Sequence, residues 1–199
     1  MLGAKRLNKS TNNKSTNKQG VSPQQINKST GRQPLAYLGV ADPGDGVPGT
    51  VFTQLPTIED GSIEYDSSDP QKVEFKKYGS DKPWAILMKA GEADTLKFNI
   101  PSPTMEERLL LMGGKVTGKK WEKPNTAPTI RKTVKIMTKP YDGKQLEYIF
   151  VNCDIFAKIT DISGSETTEI MQVQCTILAA VTAAGVENAS MTVEQKDAA

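Results

Sequence analysis

The chain has no histidine among its 199 residues. Histidine is the commonest general base near neutral pH and the commonest metal ligand, so its absence removes most nucleophilic triads and most transition-metal sites together. Cysteine is nearly absent, and Cys153 and Cys175 are too few for a disulfide framework or a thiolate metal cage. Aromatic residues make up 6% of the chain and apolar residues 37%, so part of it is expected to stay outside any core. No apolar run approaches the roughly 18–20 residues that a membrane span needs. The opening MLGAKRLNKS carries charge with no apolar stretch behind it, unlike a secretory signal. The expectation is a protein made in a cytoplasm, with no membrane partner and with reduced thiols.

Acidic residues are missing from one end. Residues 1–32 hold seven Lys or Arg and no Asp or Glu; the whole chain is +2, which leaves −5 for the remainder. This is a basic arm on an acidic body. Residues 1–33 are low in complexity, with NKST at Asn8, Asn13 and Asn27. Such composition buries too little apolar surface to offset its ordering entropy, so the arm is expected either to stay solvated or to order only against a neighbour. Residues 34–49, rich in Pro and Gly, read as an extended connector, and residues 183–199 as a polar C-terminal tail.

What the chain has in quantity is period-two alternation between residues 50 and 182. TVFTQL is short and β-branched. Ile63 and Tyr65 share one face of their segment, and Val73 and Phe75 share one of theirs. Leu96, Phe98 and Ile100 do the same, as do Ile130, Val134 and Ile136 opposite Arg131, Thr133 and Lys135. PWAILMKAG (83–91) is apolar and ambiguous between a strand and a turn of helix. In LEYIFVNCDIFAKIT the odd positions from Ile149 to Ile159 are apolar, and in TTEIMQVQCTILAAV so are Met171 to Ala179. YDGK (141–144) predicts an Asp-Gly hairpin. Centring the last hairpin on Gly164 would pair Cys153 with Cys175. This pattern predicts a mainly β protein, an antiparallel β-sandwich or barrel.

One segment has helical spacing. Pro101 and Pro103 stop the preceding strand, and either Ser102 with Pro103 or Thr104 with Glu107 begins a helix over about 103–112. Glu106 and Glu107 suit its first turn, Met105, Leu109 and Met112 form a stripe widened by Leu110 and Leu111, and Gly113-Gly114 ends it. So short a helix is unstable alone and is expected to flank the sandwich.

Chemical motifs fall short. GGKVTGKK (113–120) matches a phosphate loop except at Lys120, where Ser or Thr should hold magnesium, and it follows a helix instead of opening one. Asp42, Asp45, Glu59 and Asp60 lie in loops without calcium-loop spacing. No catalytic, cofactor or metal residue is assigned, and the expectation is a protein that is not an enzyme. Lys115–Lys123 around Trp121 interleaves cations with a stacking group. With the basic arm it supports an alternative reading, a nucleic-acid-binding β-module.

From about residue 50 to 182 the order of elements resembles the major tail tube proteins of long-tailed bacteriophages. The likeness rests on a strand running into SPTMEERLLLMGG and on the closing hairpin YIFVNCDIFAKIT…EIMQVQCTILAA. The resemblance implies a helix-flanked β-sandwich whose copies form hexameric rings. Those rings stack into a hollow virion tail through which DNA passes without specific binding. It implies as partners other copies of the chain and the terminator, tape-measure and baseplate or tip proteins of the tail. On this reading Leu35, Tyr37, Leu38, Val40, Val51, Phe52 and Leu55 are expected to make contacts between subunits.

Overall fold

The computed structural model describes residues 34–89, 91–162 and 168–197; the basic arm and the tip of the last hairpin lie outside them. In chain order the strands are β1 (Leu35–Ala41), β2 (Thr53–Gln54), β3 (Glu64–Asp66), β4 (Gln71–Lys76), β5 (Pro83–Lys89) and β6 (Thr95–Pro101). Helix α1 (Met105–Met112) follows, then β7 (Lys115–Thr117), β8 (Lys120–Glu122), β9 (Ile130–Thr138), β10 (Lys144–Asp161), β11 (Ile170–Ile177), β12 (Ala180–Val181), β13 (Glu187–Asn188) and β14 (Met191–Asp197). The protein is mainly β, all its ladders are antiparallel, and α1 is the one helix among the described residues.

The main sheet runs β2-β1-β9-β10-β11-β6-β3. β10 is long enough to serve two neighbours on one side: β14 pairs with it from Lys144 to Phe150, and β11 from Cys153 onward. Between Phe150 and Cys153 the ladder to β9 carries a bulge, which bends the strand and turns its face. The sheet thereby folds over itself as a sandwich. Tyr65 on β3 comes within 5.7 Å of Phe150, ring centroid to ring centroid, although two strands separate β3 from β10. The core between the layers joins Leu38 and Val40, Leu96, Phe98 and Ile100, Val134 and Ile136, and Met171, Val173 and Cys175.

The bulge corrects the alternation expected for β10. Ahead of it Phe150, an even position, faces the core; behind it Cys153 and Ile155 do. The final hairpin also differs in register, since Cys153 faces Ile177 and Cys175 faces Ile155. Both thiols are free and buried. Burial pushes Cys153 up to about 12 and Cys175 well above its ordinary value, so neither is a nucleophile. The Asp-Gly turn forms as expected, with Asp142 and Gly143 at φ of 52° and 71°.

Two segments read as connector and tail are strands. Pro34, Pro43 and the glycines suggest a loop, yet β1 lies inside the sheet between β2 and β9. Tyr37 folds over Gly39, where a Cβ would stand 2.4 Å from its hydroxyl oxygen. With the outer face covered in this way, Leu38 to Ala41 are all buried and no alternation shows. In the C-terminal segment, β14 pairs with β10.

Helix α1 takes the second of its two starts. Thr104 accepts from the Glu107 backbone at 3.1 Å, and the Glu107 carboxylate accepts from the Thr104 backbone at 2.7 Å, a complete capping box. The expected apolar face is buried in part, through Leu111 and Met112 with Leu110 packed against the core. Glu107, Leu111 and Met112 are buried while Leu109 is exposed. This orientation lets Arg108 reach Glu169 and lie over the Trp121 ring, 5.8 Å from its centroid.

One buried carboxylate is held between two lysines. Glu147 is 4% exposed and is met by Lys196 at 2.6 Å and Lys135 at 3.1 Å. Burial raises its pKa, but the hydrogen bonds from Lys196 and Lys135 outweigh that and hold the carboxyl below its ordinary value. A depressed native pKa contributes stability above the unfolded value near 4.5, lost as pH falls through the native one. Replacing both lysines, as Lys135→Met with Lys196→Met, leaves the carboxylate enclosed without a counter-charge. The expected cost at pH 7 is about 2 kcal/mol, below the roughly 3–5 of a fully buried pair because both lysines are partly solvated. That cost should shrink towards pH 4, where the carboxyl protonates; urea titrations with an equal gap at both pH values would contradict the assignment.

Candidate assembly surface

The β4–β5 hairpin stands apart from the core. Its strands pair only with each other, and none of its residues joins the buried cluster. Register places Val73 opposite Leu87 and Phe75 opposite Ala85; Met88 and Ile86 lie on the other face, opposite Lys72 and Glu74. Both faces are therefore apolar in part. Phe75, Ile86, Leu87 and Met88 are exposed, Trp84 is 65% exposed, and Tyr78 at the tip is fully exposed. A two-stranded ribbon without a layer behind it is marginal in water, and its exposed apolar side chains make it the candidate contact surface.

The root of the hairpin is fixed. Asp94 accepts from the Tyr65 hydroxyl at 2.7 Å and from the Ser68 amide at 3.0 Å. The Tyr65 bond and then the Ser68 bond hold the carboxyl below its ordinary value. The Ser68 hydroxyl also bonds the Glu92 carbonyl across the neck. The ribbon is a projecting arm on a clamped base.

A second feature is concave. Leu55 and Pro56 after β2, with Leu109 and Leu110 on α1, line an apolar cavity of about 330 Å³ bordered by Glu106 and Glu107. Glu107 is 7% exposed, and its Oε1 atom has no hydrogen-bond partner.

The seven residues expected at subunit contacts separate into three groups. Leu38, Val40 and Leu55 lie in the chain's own core at 1%, 1% and 2% exposure, and Leu35 packs against it. They are taken up by intramolecular packing because β1 is a sheet strand and not a connector, which corrects their expected role. Tyr37 and Phe52 flank the Lys135 ammonium at 5.9 and 4.9 Å. Val51 alone stands free, at 83% exposure. The hairpin, which carries far more exposed apolar surface, is what sequence reasoning missed. Its signal was the aperiodic run PWAILMK: apolar residues in both phases of a strand need cover on both faces.

Three of the four loop acids named above have partners of their own. Asp42 binds Lys132 at 2.6 Å, Asp45 accepts from the Ala183 amide at 2.6 Å, and Glu59 accepts from Asn99 at 2.6 Å. Among the described residues no group of three metal-ligating side chains converges. GGKVTGKK forms the turn of the β7–β8 hairpin, not a strand-to-helix loop. The Trp121 indole donates to the Gly113 carbonyl at 2.8 Å beneath Arg108, so the ring expected to stack on bases is engaged inside the fold. No helix among the described residues is long and apolar enough to cross a membrane.

No protein-family model matches the chain, and no curated protein sequence matches it.

Proposed function

We propose that the chain is a structural subunit of a bacteriophage tail tube, which associates with copies of itself into hexameric rings stacked around a channel for DNA. The observation that carries this reading is the clamped β4–β5 arm, whose exposed side chains include Tyr78, Trp84, Ile86, Leu87 and Met88. An arm of this kind gains its burial on association. Two further features support it. Among the described residues β14 pairs only with β10, so its outer edge is free to continue a sheet into a neighbour. Apart from Phe156, the outer face of β10, β11 and β6 is polar and mixed in charge, with Lys97, Asn99, Asp154, Lys158, Gln172 and Gln174 brought together by register. A wall of amides and opposed charges suits a channel that must not hold phosphate.

In this reading the subunit is not an enzyme. It belongs to the virion tail, and its partners are further copies and the tail proteins at the two ends of the tube. Electron microscopy of the purified chain at rising concentration tests it. Hollow rods or rings of uniform diameter are expected; a field of single subunits at every concentration would overturn it. Titration with duplex DNA at physiological salt should show no saturable binding, whereas tight salt-sensitive binding would favour the nucleic-acid module.

A further inference from the structure

The arm and the cavity are complementary in shape class, polarity and charge. The arm carries Lys72, Lys76, Lys77, Lys82 and Lys89 against Glu74 and Asp81, a net +3 over residues 71–89. The cavity is apolar within and bordered by Glu106 and Glu107. Tyr78 at the tip is a fully exposed aromatic ring, of a size to fill an apolar cavity. Tyr78 lies in the turn between β4 and β5, where the Ser80 amide closes on the Lys77 carbonyl at 3.1 Å, so it leads any approach of the arm.

We propose that the tip of the β4–β5 hairpin of one copy enters the cavity between Leu55–Pro56 and α1 of a second copy, with Tyr78 seated among Leu55, Leu109 and Leu110. Lys76, Lys77 and Lys82 face Glu106. Arm and cavity are different surfaces of one subunit, so each copy can give one arm and receive another; taken up by successive copies, the contact is heterologous and propagates. The inference rests on the assembly reading above and names the site through which assembly runs.

The test uses the full chain with cysteines placed on both sides, Tyr78→Cys in one preparation and Leu109→Cys in another. The native thiols are buried and do not compete. Mild oxidation of the mixture should give a disulfide-linked pair that neither preparation gives alone. In parallel, Tyr78→Ala should weaken self-association by about 30-fold, as loss of a central aromatic anchor does. Tyr78→Phe, which keeps the ring that fills the cavity, should self-associate much as the wild type does. Sedimentation separates the two ways of failing. Self-association that persists in Tyr78→Ala, with no cross-link, overturns the docking site alone. Absence of self-association in the wild type overturns both the site and the assembly reading.

Discussion

Replacing residues 72–88 with a short Gly-Ser turn is expected to abolish self-association and leave the subunit folded. The strands of the arm share no ladder with the main sheet, and none of its side chains belongs to the core. The clamp of Tyr65 and Ser68 on Asp94 lies outside the excised residues and keeps the neck in place. The unfolding temperature should therefore move by no more than about 4 °C, the shift expected of ~1 kcal/mol in a chain of this size. Self-association should weaken by at least about 100-fold, since several exposed aromatic and aliphatic anchors leave together. Calorimetry and sedimentation on the same sample give the two readings. A collapse of the melting transition would show that the arm supports the fold, and unchanged self-association would show that copies meet elsewhere.

Phe98→Ala is expected to have the opposite signature. Phe98 is 1% exposed, lies opposite Val173, and stands between Leu96 and Ile100 on the core face of β6. Truncating a large buried side chain costs about 3–5 kcal/mol, part transfer and part cavity, against a total stability of roughly 5–15 kcal/mol for a domain. Much of the folded margin goes, and urea denaturation should show an earlier midpoint with an unchanged slope. Phe156 on β10 is the matched control: it is 59% exposed on the outer face, and its truncation should cost under about 0.5 kcal/mol. Similar losses at the two positions would contradict the assignment of faces.

The contrast between these residues shows where alternation carries information. β6, β9 and β11 have one face in the core and one outside, and Leu96, Phe98 and Ile100 or Met171, Val173 and Cys175 announce it by their spacing. The capping box at Thr104 was legible because its donors and acceptors lie within a few residues of one another. β1 was not, because burial on both faces erases the alternation and Gly39 reads as a breaker when it is in fact room for Tyr37. β14 was not, because an edge strand carrying Glu194 and Lys196 resembles a solvated tail. The bulge after Phe150 was invisible because the residues across it keep an unbroken apolar rhythm while the backbone changes face. The exposure of the expected contact residues was misread for a related reason. Apolar residues in a Pro/Gly-rich stretch looked exposed, yet Leu38 and Val40 found partners in β9, and the residues left uncovered belong to a ribbon with no sheet behind it.

The account turns on the claim that this subunit is unfinished alone and buries its arm only against another copy. Sedimentation velocity of the full chain over an about 100-fold range of concentration tests that most directly, because association of identical subunits must follow mass action. The prediction is a sedimentation coefficient that rises with concentration through rings to longer particles, with Trp84 fluorescence shifting to the blue as the arm is covered. A single species of one-subunit mass across the whole range, with that tryptophan still in water, would contradict it.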